Sequence, residues 1–191
     1  MRMRSFLLCC FFCVILGGCG EKTLSPYNPM GLSGKISSEA ETLYARARVL
    51  WDKDDVCSDP SQALELLDRV IQIEPAYAPA YLRRGLAKSD LRNWDGAFDD
   101  VTKAIRLDPT AEAYAFRGLV SMRGGNFIGA RKDLDRSLDM QKRQYRAWNF
   151  RGGLHRMEGN LPAACKDFEE ACDYGNCMGL EMAKKAGECM N

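Results

Sequence analysis

Histidine is nearly missing from this chain: His155 is the one copy in 191 residues. An excess of either charge is missing too, with 27 basic against 26 acidic side chains. No apolar run reaches the ~20 residues that a bilayer-spanning helix requires. Near neutrality excludes the strong field that draws a protein onto nucleic acid or an anionic membrane surface. There is no glycine-rich phosphate loop after a strand, no Gly-x-Ser-x-Gly and no His-Glu-x-x-His, so the sequence points away from an enzyme and names no cofactor. His155 reads as a packed structural residue, and the acidic clusters Asp52-Lys53-Asp54-Asp55 and Asp99-Asp100 read as solvated surface.

The first nineteen residues stand apart from the rest. Arg2 and Arg4 form a basic start, Phe6 to Leu16 is an apolar run, and the small Gly17 and Gly18 lead to Cys19. This is the order of an export signal. Leu16-Gly17-Gly18-Cys19 resembles a bacterial lipobox, in which the cysteine becomes the new N-terminus and carries lipid. The plainer alternative is an ordinary signal peptide with a free Cys19. The lipobox reading implies removal of residues 1–18, lipidation of Cys19 and a periplasmic location on the bacterial envelope. Gly20 is not an acidic retention signal, which favours the outer membrane. With Arg2 and Arg4 removed, 25 basic side chains face 26 acidic ones. Residues 20–36 hold Pro26, Pro29, Gly31, Gly34 and several serines with almost no apolar periodicity, and with Cys19 are expected to form a lipidated tether.

From residue 37 to 191 the dominant signal is self-similarity. Asn93-Trp94-Asp95-Gly96-Ala97 aligns with Asn126-Phe127-Ile128-Gly129-Ala130 and Asn160-Leu161-Pro162-Ala163-Ala164, at spacings of 33 and 34. Asp59-Pro60-Ser61-Gln62-Ala63 lies 34 residues earlier. Each copy puts Asn or Asp where a helix N-cap belongs, and Pro60 sits where a missing N–H costs nothing. Asp59 with Gln62, and Ser38 with Glu41, read as capping boxes. A second register runs alongside: Tyr81, Tyr114 and Trp148 each stand three residues before Arg84, Arg117 and Arg151, which precede Gly85, Gly118 and Gly152. Each unit therefore has two helices, with the glycine allowing close approach.

A period of ~34 residues with two helices resembles the tetratricopeptide repeat family. In the second unit the family pattern falls on Tyr81, Gly85, Ala97, Val101, Ala104 and Pro109, and in the fourth on Trp148, Gly152, Ala164, Phe168 and Ala171. Lys88, Ser121 and His155 depart from the usual tyrosine, Lys142 and Asn176 from the closing proline, and the first unit has Leu43 and Ala47 plus an insertion before Ala63. The resemblance implies an all-α, right-handed solenoid of four helix-turn-helix hairpins, about 38–74, 78–108, 111–142 and 145–174, with a capping helix about 177–187. Leu180, Met182 (or Met178) and Ala183 are expected to cover the last hairpin.

Five cysteines remain after the signal and Cys19: Cys57, Cys165, Cys172, Cys177 and Cys189. An antiparallel return of the cap brings together residues whose numbers share a roughly constant sum. That pairs Cys172 with Cys177 near the turn and Cys165 with Cys189 at the open end, in an exported chain where disulfides persist. The competing reading is zinc, which prefers Cys-x-x-Cys spacing or added histidine, so no metal site is expected. Cys57 is left over, either buried or cross-linked to a second chain.

The family resemblance also implies a concave groove lined by the first helix of each hairpin. Here its expected lining is Tyr44, Arg48 and Trp51, then Leu82, Leu86, Ala115, Leu119, Met122, Asn149 and Arg156. Such a mixed surface suits an extended or helical peptide. The carboxylate clamp of the chaperone-tail-binding members is not reproduced at Tyr44, Arg48, Arg83, Glu112 and Phe116, so binding of a chain terminus is not expected. The Arg84, Arg117 and Arg151 ladder could take an acidic peptide, but pairing with acids such as Asp100 or Asp133 is favoured. The expected role is a non-enzymatic scaffold or adaptor that binds an envelope protein or peptide. The alternative is a structural spacer that self-associates as a homodimer through Cys57.

Overall fold

The computed structural model describes residues 36–52 and 55–189. The signal, the lipobox Cys19 and the tether up to residue 35 lie outside the described residues. Nine helices follow one another among those described: α1 Ser38–Arg48, α2 Pro60–Ile73, α3 Ala78–Asp90, α4 Trp94–Leu107, α5 Ala111–Arg123, α6 Phe127–Met140, α7 Tyr145–Met157, α8 Leu161–Asp173 and α9 Met178–Lys185. They form a right-handed solenoid of four hairpins closed by α9. None of these helices is long and apolar enough to cross a membrane.

The second helix of every hairpin starts on the same device. Asp59, Asn93, Asn126 and Asn160 each accept a hydrogen bond from the backbone N–H three residues on, at Gln62, Gly96, Gly129 and Ala163. Each bond satisfies one donor that the helix start leaves without a partner. The first helix begins differently from the expected Ser38–Glu41 box. Ser37 is the cap and accepts from Ala40 N–H, while its own N–H donates to Glu74 Oε1 at 3.1 Å. Glu74 closes α2, so this bond ties the two ends of the first hairpin together.

Within a hairpin the helices meet at the repeated glycine. A Cβ on Gly85 would lie 2.6 Å from Val101 Cγ2, one on Gly118 2.7 Å from Leu134 Cγ, and one on Gly152 2.6 Å from Phe168 Cε1. The apolar residues that pack against these glycines, Val101, Leu134 and Phe168, are buried with Ala97, Ala130 and Ala164 opposite them. Consecutive first helices also touch, α3 with α5 and α5 with α7, which makes them the inner layer of the array.

The cap departs from expectation in one respect. Leu180 and Ala183 pack on Phe168, whereas Met182 and Met178 are largely exposed. The close approach is made by Gly179 instead, where a Cβ would lie 2.5 Å from Phe168 Cδ1 and 2.6 Å from Asn149 Oδ1. Cys165 is bonded to Cys189 and Cys172 to Cys177. The cap is thus joined covalently to α8 at both its ends.

Candidate partner-binding site

The first turns of three inner helices converge on one open cavity of about 590 Å³. Ala78, Pro79, Leu82 and Arg83 come from α3, Ala111 to Ala113 from α5, and Tyr145 and Arg146 from α7, with Tyr44 and Arg48 of α1 on the near side. Helix starts carry partial positive charge from unpaired N–H groups. The starts of α3 and α7 have no side-chain cap. Arg48, Arg83, Arg143 and Arg146 add four guanidiniums to the lining, against the carboxylates of Asp108 and Glu112. Burial raises the Asp108 carboxyl above its ordinary value. Burial likewise raises the Tyr44 and Tyr145 phenols, so both stay protonated donors at neutral pH.

At the inner edge of this cavity lies a compact charged cluster. Asp55, from the insertion between α1 and α2, bonds to Arg146 through both guanidinium Nε and Nη2, the latter at 3.2 Å. The same carboxylate lies 3.5 Å from Arg83 Nη1. That nitrogen is buried and makes no hydrogen bond among the described residues, so its contact with Asp55 is an ion pair. Both guanidiniums also approach the fully buried Phe116 ring, Arg83 at 5.8 Å and Arg146 at 5.5 Å from its centroid. Burial opposes the charge on Arg146, but Asp55 and Glu112 outweigh it and raise its pKa. The Asp52 to Asp55 cluster was expected to be solvated. Asp55 is instead only 11% exposed, because the insertion turns it back onto the inner helices.

The expected groove residues divide into three sets. Tyr44, Arg48 and Leu82 line the cavity. Leu86, Ala115 and Leu119 are buried in the core, where adjacent inner helices close over them, and they present no surface to a partner. Trp51 packs beside Arg83 and is bridged to Cys57. Met122 packs against the core, Asn149 donates to Asn176 across to the cap, and Arg156 pairs with Glu188 at 2.7 Å. Arg83, Glu112, Tyr145 and Arg146 were not among the expected lining. Among them, Glu112 and Arg146 stand two before the repeated aromatic and Arg83 two after Tyr81.

The arginine ladder is fully engaged. Arg84 binds Asp100 through two nitrogens and Asp68 through a third, and Arg151 binds Asp167 and Asp135 in the same way. Arg117 holds Asp133 through two 2.7 Å bonds. These bonds raise the pKa of all three arginines despite burial. Asp100 is accordingly buried rather than solvated. His155 lies 3.8 Å from Asp167 at the position where Lys88 meets Asp100.

The repeat geometry now has a counterpart in known proteins. The tetratricopeptide repeat profile matches residues 117–177. The fold is a tetratricopeptide-repeat solenoid. Human tetratricopeptide repeat protein 13 is 34% identical over 109 residues, which are 57% of this chain, and the chain spans 13% of that protein's length. A crystal structure of MamA superposes with a TM-score of 0.55 at 25% identity, covering 78% of this chain and 81% of that one. A thermophilic TPR protein of Thermus thermophilus gives a TM-score of 0.65 at 20% identity, covering 78% and 80%. YrrB, described as a TPR protein with an unusual peptide-binding site, gives 0.54 at 18%, covering 74% and 69%. At those last two identities the likeness speaks for the fold alone.

Proposed function

We propose that this chain is a non-enzymatic interaction module, held by lipid at Cys19 on the periplasmic side of the bacterial envelope, in the outer membrane. It takes an extended segment of an envelope protein along the inner face of the solenoid. The observation that carries this reading is the open cavity at the starts of α3, α5 and α7, wide enough for side chains of a bound segment and lined by four arginines. Guanidiniums supply the directional donors that orient a peptide in such a surface. The anchor rests on the Leu16-Gly17-Gly18-Cys19 sequence.

Affinity purification of the lipidated chain from bacterial membranes tests the reading. The wild type should recover a partner protein that the Arg48→Glu, Arg143→Glu double variant loses, since both side chains line the cavity and lie outside the core. Equal recovery by both would contradict it. Labelling with an alkyne fatty acid should mark the wild type and not Cys19→Ala, and an unlabelled wild type would remove the anchor from the proposal. The self-associating spacer would need the thiol of Cys57, which is free but half-covered.

A further inference from the structure

The Asp55 contact has the form of a ligand contact made within the chain. Its carboxylate comes from an insertion absent from the other three hairpins and reaches α7, 91 residues further along. The segment is braced to deliver it. Trp51 and Cys57 form an antiparallel bridge, Asp52 N–H donates to Val56 O, and Val56 N–H donates to Asp52 Oδ1 at 2.9 Å. Asp55 itself adopts a left-handed backbone, φ 60°. That conformation is costly for a residue with a side chain and is held by the contacts around it.

The two guanidiniums that receive Asp55 meet few other acids among the described residues. Arg146 has Glu112 at 3.5 Å as its second acid, and Arg83 has Asp55 as the one acid with which it pairs among the described residues. Both arginines also line the open cavity. Two cations within reach of one buried aromatic ring, beside uncapped helix starts, favour a carboxylate over any neutral group.

We propose that Arg83 and Arg146, set around Phe116, form a receptor for a side-chain carboxylate of an acidic partner segment, and that Asp55 occupies it as an internal competitor. This rests on the inner face being the partner-binding surface, and it specifies the chemistry of the partner: a Glu- or Asp-rich stretch, read through side chains rather than through a chain terminus. Binding replaces one carboxylate by another, so the arginines are never left bare and non-acidic segments are rejected.

The probe is a fluorescein-labelled decaglutamate with an amidated C-terminus, titrated at low salt into the full chain and followed by anisotropy. Asp55→Asn should bind it about tenfold more tightly than the wild type, because an internal competitor lowers the fraction of competent receptor. Adding Arg83→Gln and Arg146→Gln to Asp55→Asn should abolish that gain, with far-UV circular dichroism reporting that the helices persist. An Asp55→Asn, Arg146→Lys variant keeps the charge and should retain part of the gain if the triple variant does not fold. Equal affinity of wild type and Asp55→Asn overturns the proposal, as does a gain that survives loss of both arginines. If a protein partner is still captured through Arg48 and Arg143, the interaction reading stands and only the carboxylate receptor falls.

Discussion

Two adjacent glycines show how finely the packing discriminates between positions. Gly152 faces α8, where a Cβ would meet Phe168 at 2.6 Å and the Ala164 carbonyl at 3.2 Å. Gly153 has only Met122 Cε at 4.0 Å. Gly152→Ala should therefore destabilise the fold by about 1–2 kcal/mol, overpacking outweighing the gain in helix propensity. Gly153→Ala should stabilise it by about 0.5–1 kcal/mol, since the propensity gain meets no clash. Urea midpoints of the two variants check the opposite signs. Cys57 offers a second residue-level test. Burial raises its thiol above the ordinary value, so less thiolate is present at pH 8 than in an unfolded chain. Iodoacetamide should modify Cys57 more slowly in the native protein than in urea, with the native rate still rising above the pH at which the denatured rate has levelled. Equal rates would mean that the insertion leaves the thiol open. The glycine register was readable from the sequence because steric demand recurs every repeat. The cap's Gly179 was not, because it occurs once and marks no period.

Repeated elements allow one hairpin to be judged by its siblings. Asp68 and Asp135 stand at equivalent places on α2 and α6 and give Arg84 and Arg151 an extra acid at 2.7 Å. The equivalent residue on α4 is Thr102, whose buried Oγ1 has no hydrogen-bond partner among the described residues, where Asp133 is the one acid that pairs with Arg117. Thr102→Asp should complete that rung and raise stability by about 0.5–1 kcal/mol. An unchanged urea midpoint would show that the outer acids contribute nothing. The cap poses the other element-level test. The Cys165–Cys189 bond closes a separation of 24 residues and Cys172–Cys177 one of 5. On chain entropy alone, losing the longer link should cost about 3.5 kcal/mol and the shorter about 2 kcal/mol. Paired serine substitutions at Cys165 and Cys189 should raise amide exchange in α9 and α8 while α3 to α6 stay protected. Uniform loss of protection would mean that the cap and the array unfold as one. The N-caps at Asp59, Asn93, Asn126 and Asn160 were legible one by one, since a cap needs only local sequence. The first helix misled because two serines adjoin, and tertiary bonding to Glu74 selects Ser37 over Ser38.

At the scale of the whole molecule, the order of helices followed from periodicity, the inner layer from the family resemblance, and the capping helix from the apolar face that a last hairpin leaves open. The working surface did not. Counting from the aromatic placed Leu86, Ala115 and Leu119 in the groove, yet inner helices close over these positions and bury them. Asp55 was hidden more deeply, because its partners Arg83 and Arg146 lie in different hairpins and no local pattern links them. An irregular insertion carries no period from which its direction could be read. What the assembled array presents is a cavity framed by α1, α3, α5 and α7, beside an ion cluster that uses a residue from the insertion. The outer layer, by contrast, exposes isolated apolar side chains such as Ile128 on α6, 88% exposed. Partners held on the inner face, as proposed, would lie within reach of the cavity wall. Site-specific photo-cross-linking in bacterial cells tests this most directly, with the cross-linking residue placed at Arg143 in the cavity wall or at Ile128 on the outer layer. A discrete protein adduct is expected from position 143 and none from position 128. Adducts from position 128 with none from position 143 would contradict the proposal.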